Sequence, residues 1–250
     1  MQIQPAFNAG ANQGTTSTSS IDGGGLGSST LEGLRADWNV RMNVSHDTGF
    51  VGGAGRLLIH NLVVEEKREI TLLLPAALQN RPGQLQLESA AICSAKPGIA
   101  AAPGQPLAFR AEGAKVVVTI PVLNLNDWVY IDFTWTGGFA KGGTSFPQAR
   151  VPLGDFHPQI AVPVTTDNGQ AALAPVTARY DVELGTDLGA TVQLDGAAGP
   201  DLAGIARQPS ADGAMTMHEF KSYGTPRIDA VVIPGMATVD MSRAVVTDSV

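Results

Sequence analysis

Residues 106–135 read PLAFRAEGAKVVVTIPVLNLNDWVYIDFTW. Leu107 and Phe109 alternate with Ala108 and Arg110, and Ala111-Glu112-Gly113 reads as a turn. Val116, Val118 and Ile120 then share one face, with Val117 and Thr119 on the other. After Asn124-Leu125-Asn126-Asp127, Val129, Ile131, Phe133 and Trp135 fall on one face and Tyr130, Asp132, Thr134 and Thr136 on the opposite one. A period of two, rich in β-branched and aromatic residues and broken at Gly and Asn/Asp, is the pattern of strands joined by hairpins. The stretch predicts three consecutive antiparallel strands.

The same pattern extends in both directions. Trp38, Val40, Met42 and Val44 alternate with polar residues, Arg56 to Asn61 follows Gly52-Gly53-Ala54-Gly55, and Ile70, Leu72 and Leu74 form a core face ended by Pro75. The glycines of 52–55 lack the spacing and βαβ setting of a dinucleotide fingerprint and predict a bulge. Leu85 and Leu87 alternate with glutamines, and further strands are predicted near Ile160 to Val164, Tyr180 to Leu184 and Ala190 to Leu194, with 214–220 and 228–233 as a last pair. No segment of ten or more residues carries a helical period. The expected fold is all-β, an antiparallel β-sandwich.

Composition agrees with many short strands and tight turns. The chain has 250 residues, with 44% hydrophobic and 16% charged residues, Gly 29 and Pro 16. That suffices for a sizeable core and disfavours long surface helices. Residues 1–33, rich in Gly, Ser and Thr, predict a flexible N-terminal arm, because nothing in them offsets the entropy of ordering. Residues 34–250 are expected to form one sandwich domain, with a long irregular loop at 137–159.

Several function classes are disfavoured. A net charge of −7 argues against nucleic-acid binding, which needs clustered Lys and Arg. No apolar run reaches the roughly 20 residues that span a bilayer, so no membrane insertion is expected, and no secretory signal is visible. The localisation expected is therefore cytoplasmic synthesis, with incorporation into a particle left open. The single cysteine, Cys93, is expected to be a small buried residue. His46, His60, His157 and His218 are widely separated, which favours structural roles. The run Gly137 to Ser145 misplaces its lysine for a phosphate loop, and no Gly-x-Ser-x-Gly elbow occurs. Trp38, Trp128 and Trp135 read as core or rim packing rather than a sugar-stacking platform. No catalytic residue, metal ligand or cofactor is expected. The best candidate for a protein-contact surface is Phe139, Phe146, Gln148, Phe156, His157 and Gln159 of the 137–159 loop, since aromatic and amide groups together suit protein recognition, although buried loop anchors fit the same pattern.

In their order along the chain, several stretches resemble the N-terminal β-sandwich of the aminopeptidase N family of zinc peptidases. Asp37-Trp38-Asn39-Val40 followed by GGAGRLLIHN (52–61) resembles that family's opening strand and its G-x-x-x-L-x-x-x-N second strand. GQPLAFRAEGAKVVVTIP (104–121) is similar to its G-x-x-L-x-x-x-x-x-G-x-x-L-x-V hairpin. IDFTWTG (131–137), Phe156 to Ala161 and Arg179 to Leu184 resemble later strands, so the likeness spans about residues 36–235. The resemblance implies a non-catalytic module, because the family's zinc helix, His-Glu-x-x-His, lies on a separate domain. Here His218-Glu219 is followed by Ser222 where the second histidine would stand, and Gly213-Ala214-Met215 continues with Thr216 and Met217 instead of Glu and Asn.

Two functional expectations follow. The first is a non-enzymatic structural or interaction protein, a subunit of a larger assembly such as a virion or surface layer, with protein partners that include copies of itself and contacts made by the arm. The alternative is the non-catalytic N-terminal module of a zinc aminopeptidase-like enzyme whose catalytic domain is absent from this chain. A carbohydrate-binding module would rest on the tryptophans alone.

Overall fold

The computed structural model describes residues 33–75, 85–138, 151–166, 168–194, 205–211 and 213–234, with the side chains of 222–224 left aside. Fifteen strands are present among them. The first four are β1 (Leu34–Ser45), β2 (Phe50–Asn61), β3 (Lys67–Leu73) and β4 (Gln86–Ala95). The central block gives β5 (Phe109–Glu112), β6 (Lys115–Leu123) and β7 (Trp128–Gly138). Then come β8 (Val151–Pro152), β9 (Gln159–Thr165), β10 (Ala171–Pro175), β11 (Ala178–Asp187) and β12 (Thr191–Leu194). The last are β13 (Ala206–Pro209), β14 (Met215–Thr225) and β15 (Ala230–Ile233). They form a seven-stranded sheet β13-β14-β11-β1-β2-β7-β4, a five-stranded sheet β10-β9-β3-β6-β5 and a three-stranded sheet β12-β15-β8. One continuous core is shared by all three, so the all-β sandwich stands.

Burial follows the predicted alternation closely. Trp38, Val40, Met42 and Val44 of β1, Ile70 and Leu72 of β3, and Val129, Ile131, Phe133 and Trp135 of β7 are buried. Gly113, at φ 65°, opens the two-residue turn between β5 and β6, where a side chain would be strained.

Four expectations are corrected. Strands β5, β6 and β7 do not form a meander: β5 pairs with β6, but β7 pairs with β2 and β4 in the opposite sheet. The Asn124–Asp127 turn therefore carries the chain across the core rather than closing a hairpin. The sandwich is not wholly antiparallel, because β1 runs parallel to β11 in register from Ala36↔Ala178 to Val44↔Thr186. Residues 214–220 and 228–233 are strands, but β14 joins the seven-stranded sheet and β15 the three-stranded one. Glycines 52–55 form no bulge, since β2 keeps unbroken register with β1 from Phe50↔Ser45 to Asn61↔Leu34. They are small because tryptophans lie over them. A Cβ on Gly53 would come within 2.7 Å of Trp135 Cζ2, and one on Gly55 within 3.0 Å of Trp135 Cη2 and 3.1 Å of Trp38 Cζ3.

Free edges are short or covered. The ten-residue edge of β4 is capped by residues 104–107: Gly104 N donates to Ile92 O (2.7 Å), Ile92 N to Gln105 O (2.8 Å) and Leu107 N to Ala90 O (2.8 Å). The remaining outer strands, β5, β8, β10, β12 and β13, have five residues or fewer. Both devices discourage edge-to-edge aggregation.

Candidate functional site

The expected contact surface divides. Phe139, Phe146 and Gln148 lie outside the described residues. Phe156, His157 and Gln159 lie in the interior, as loop anchors rather than as a surface. The reason is local. Residues 153–156 form one 3₁₀ turn after β8, which turns Leu153 and Phe156 inward. Trp135 Nε1 donates to Phe156 O (3.1 Å), and Gln159 Nε2 donates to Gly154 O (2.9 Å). The imidazole of His157 then stands edge-on among Trp38, Trp135 and Tyr180, with ring centroids 4.7, 5.3 and 5.4 Å away. Neither His157 nitrogen has a hydrogen-bond partner, and complete burial pushes its pKa down to about 3. It is a neutral ring in an aromatic cage, with no surface to offer. Burial also pushes the Tyr180 phenol up, while its hydroxyl donates to Pro226 O (3.1 Å).

The other histidines serve the fold. His218 Nε2 is 3.0 Å from Thr186 Oγ1, both side chains buried, and desolvation with the nearby Arg207 charge lowers its pKa. It lies within β14, so His218 and Glu219 point to opposite faces and cannot converge as a helical metal pair would. Among the described residues, no group of three or more His, Cys, Asp or Glu side chains is placed to hold a metal ion. Trp38 and Trp135 are fully enclosed, and Trp128 stacks edge-on against Tyr130 at 5.5 Å. Cys93 is only half-buried. It sits where β4 slips register against β7, and burial, then the Asp132 charge, raise its pKa.

Charged groups on the outer face of the seven-stranded sheet are mostly paired across strands. Arg56 grips Asp132 with two bonds (2.7 and 3.1 Å), Arg41 meets Glu183 (2.8 Å) and Lys221 meets Asp181 (3.3 Å). The last two pairs line a depression of about 400 Å³ with Asn39 and Glu219. Such exposed pairs each contribute roughly 0–1 kcal/mol, and the ladder describes a solvated sheet face.

The arrangement that sequence reasoning missed surrounds Asn61. This fully buried side chain donates from Nδ2 to Glu65 O (2.8 Å) and Leu123 O (2.9 Å), and its Oδ1 accepts from Val63 N (3.3 Å). Its backbone adds Asn61 N to Asp127 O (2.9 Å) and Asn126 N to Asn61 O (2.7 Å). One residue therefore ties the β2–β3 loop to the β6–β7 loop. Asn126, at φ 63°, is the one non-glycine with positive φ among the described residues. Around this hub Leu62, Val64, Val122 and Leu125 are 41, 84, 37 and 43% exposed. They are four of the seven exposed large apolar side chains among the described residues, which marks a patch rather than scatter. The signal in the sequence was apolar residues placed inside polar turns, out of step with the strand alternation.

No family model matches this chain, and no curated protein matches it. Among solved structures it is similar to a mutant M1 zinc metallopeptidase from Deinococcus radiodurans, at 14% identity and a TM-score of 0.48. A two-domain M1 zinc metallopeptidase mutant bound to L-arginine gives the same values. The Deinococcus radiodurans mutant bound to a Tyr-Ser-Ala substrate gives 14% identity and a TM-score of 0.47. Each likeness covers 81% of this chain and 42% of the other, so the chain spans less than half the length of those proteins.

Proposed function

We propose that this chain is a non-catalytic β-sandwich module that accompanies a zinc aminopeptidase-type catalytic domain lying outside these 250 residues. The observation supporting this reading is what the residues of the resemblance do. In the second-strand pattern, Gly53 seats Trp135, Leu57 is fully buried and Asn61 joins two loops. In the hairpin pattern, Gly104 and Leu107 close the β4 edge, Gly113 forms the β5–β6 turn, and Val116 and Val118 enter the core. Every one of these side chains or glycines builds the scaffold, which is what a supporting module requires. The assembly-subunit expectation rested on the arm, which except for Gly33 lies outside the described residues, and no feature of the described residues favours it.

The reading is tested by affinity-purifying the full chain from its source cells and measuring zinc and aminopeptidase activity in the chain alone and in what accompanies it. The expected result is a stoichiometric companion carrying His-Glu-x-x-His, with zinc and activity following the companion. Zinc-dependent hydrolysis by the chain alone, or a homomultimer without such a companion, would overturn it.

A further inference from the structure

We infer that the Asn61 end of the sandwich is the surface through which the module holds its companion, and that it receives an uncharged, apolar protein surface. This rests on the module reading above. Three observations carry it. The first is clustering: Leu62, Val64, Val122 and Leu125 each lie within one or two residues of a group bonded to Asn61, so they share one end of the molecule. An apolar cluster of that kind is uncommon on a soluble surface without a use.

The second observation is rigidity. The loops bearing these residues are fixed by a buried asparagine with both side-chain groups bonded, which lowers the ordering entropy that a contact must overcome.

The third is charge. The ionic groups nearest the patch are already paired within the chain: Arg35 with Asp37 (2.8 Å), Glu65 with Lys67 (3.4 Å), Glu66 with Arg68 (2.9 Å) and Lys96 with Asp127 (3.0 Å). The Lys96 ammonium and the Asn124 amides hold the Asp127 carboxyl below its ordinary range, so that pair is engaged. An occupant bringing its own charge would meet no free partner and would lose hydration, whereas an apolar face loses nothing.

The experiment is site-specific photocrosslinking in the source cells. A photoreactive phenylalanine analogue replaces Val64 or Leu125 in the full chain and, as controls, Leu188 or Phe109, which are exposed apolar residues away from the patch. Adducts are identified by mass spectrometry. Capture of a protein carrying His-Glu-x-x-His from Val64 and Leu125 but not from the controls is the result expected. Capture of that protein only from the controls, or equally from all four positions, overturns the patch and leaves the module reading standing. Capture of no such protein from any position, or of copies of the chain itself, overturns both. The double variant Leu62→Ser/Val64→Ser, altering exposed side chains only, is expected to weaken the companion's Kd on the order of tenfold without unfolding the chain.

Discussion

The indole of Trp135 lies over Gly53 so closely that an added Cβ would meet its Cζ2 at 2.7 Å, with the Arg41 carbonyl oxygen 2.8 Å away on another side. A glycine in the middle of a strand ordinarily weakens it. Here it is the condition for burying a large aromatic, and the same device at Gly55 admits the edge of Trp38. Gly53→Ala is therefore expected to destabilise the chain by about 1–3 kcal/mol, since rigid backbone and a packed indole both oppose the methyl group. Urea unfolding of Gly53→Ala, Trp135→Phe and the double variant checks this. A double variant less destabilised than the sum of the singles is expected, and strict additivity would contradict the contact.

Asn61→Ala is expected to cost about 3 kcal/mol, because Glu65 O and Leu123 O lose their donor in a buried setting. Asn61→Asp is expected to be at least as damaging, as a carboxylate cannot donate to those carbonyls. Amide exchange should quicken at Val63, Asn126 and Asp127 before it does in the central strands. Uniform quickening across the chain would deny Asn61 its role as a local tie.

Stability should fall as pH is lowered from neutrality. His157 titrates at about 3 in the folded chain, against 6.5 for an ordinary histidine, because burial disfavours its charged form. The folded state thus binds fewer protons than the unfolded one between those values, and the stabilisation present above pH 6.5 is lost progressively towards pH 3. The slope from this one group approaches about 1.4 kcal/mol per pH unit. His157→Phe, which keeps a ring in the cage, is expected to flatten the pH dependence by that amount between pH 6 and pH 4. An unchanged slope would place the acid sensitivity elsewhere, His218 being the next group lowered by burial.

Val64→Ser should leave the unfolding midpoint within about 0.5 kcal/mol of wild type, because the side chain is 84% exposed. A larger loss would mean that Val64 is covered in the free chain.

The alternation of β1, β3, β6 and β7 was legible in the sequence because a half-buried strand must present every second side chain to the core. The pairing of those strands was not. Nothing in Asn124 to Asp127 distinguishes a hairpin turn from one that crosses between sheets, since both need a polar, tightly bonded reversal. The parallel β1–β11 pair joins segments far apart in the chain, and local pattern carries no record of it. Glycines 52–55 read as a bulge because the tryptophans that need their space come from other strands. The misassigned contact residues have a similar cause: Phe156, His157 and Gln159 follow a Pro/Gly-rich stretch that looks like surface loop, while the 3₁₀ turn folds them beneath Trp135. Asn61 was visible as the end of a motif, but its task depends on the β6–β7 loop brought against it.

The central claim is that this chain supports a zinc peptidase rather than being one. The most direct measurement is metal content and mass together, by elemental analysis and light scattering of the purified chain and of the complex isolated from source cells. The account predicts no stoichiometric zinc in the chain alone, and one zinc per complex of the chain with a single companion. A chain that retains one zinc after purification to homogeneity, with no companion present, would contradict it.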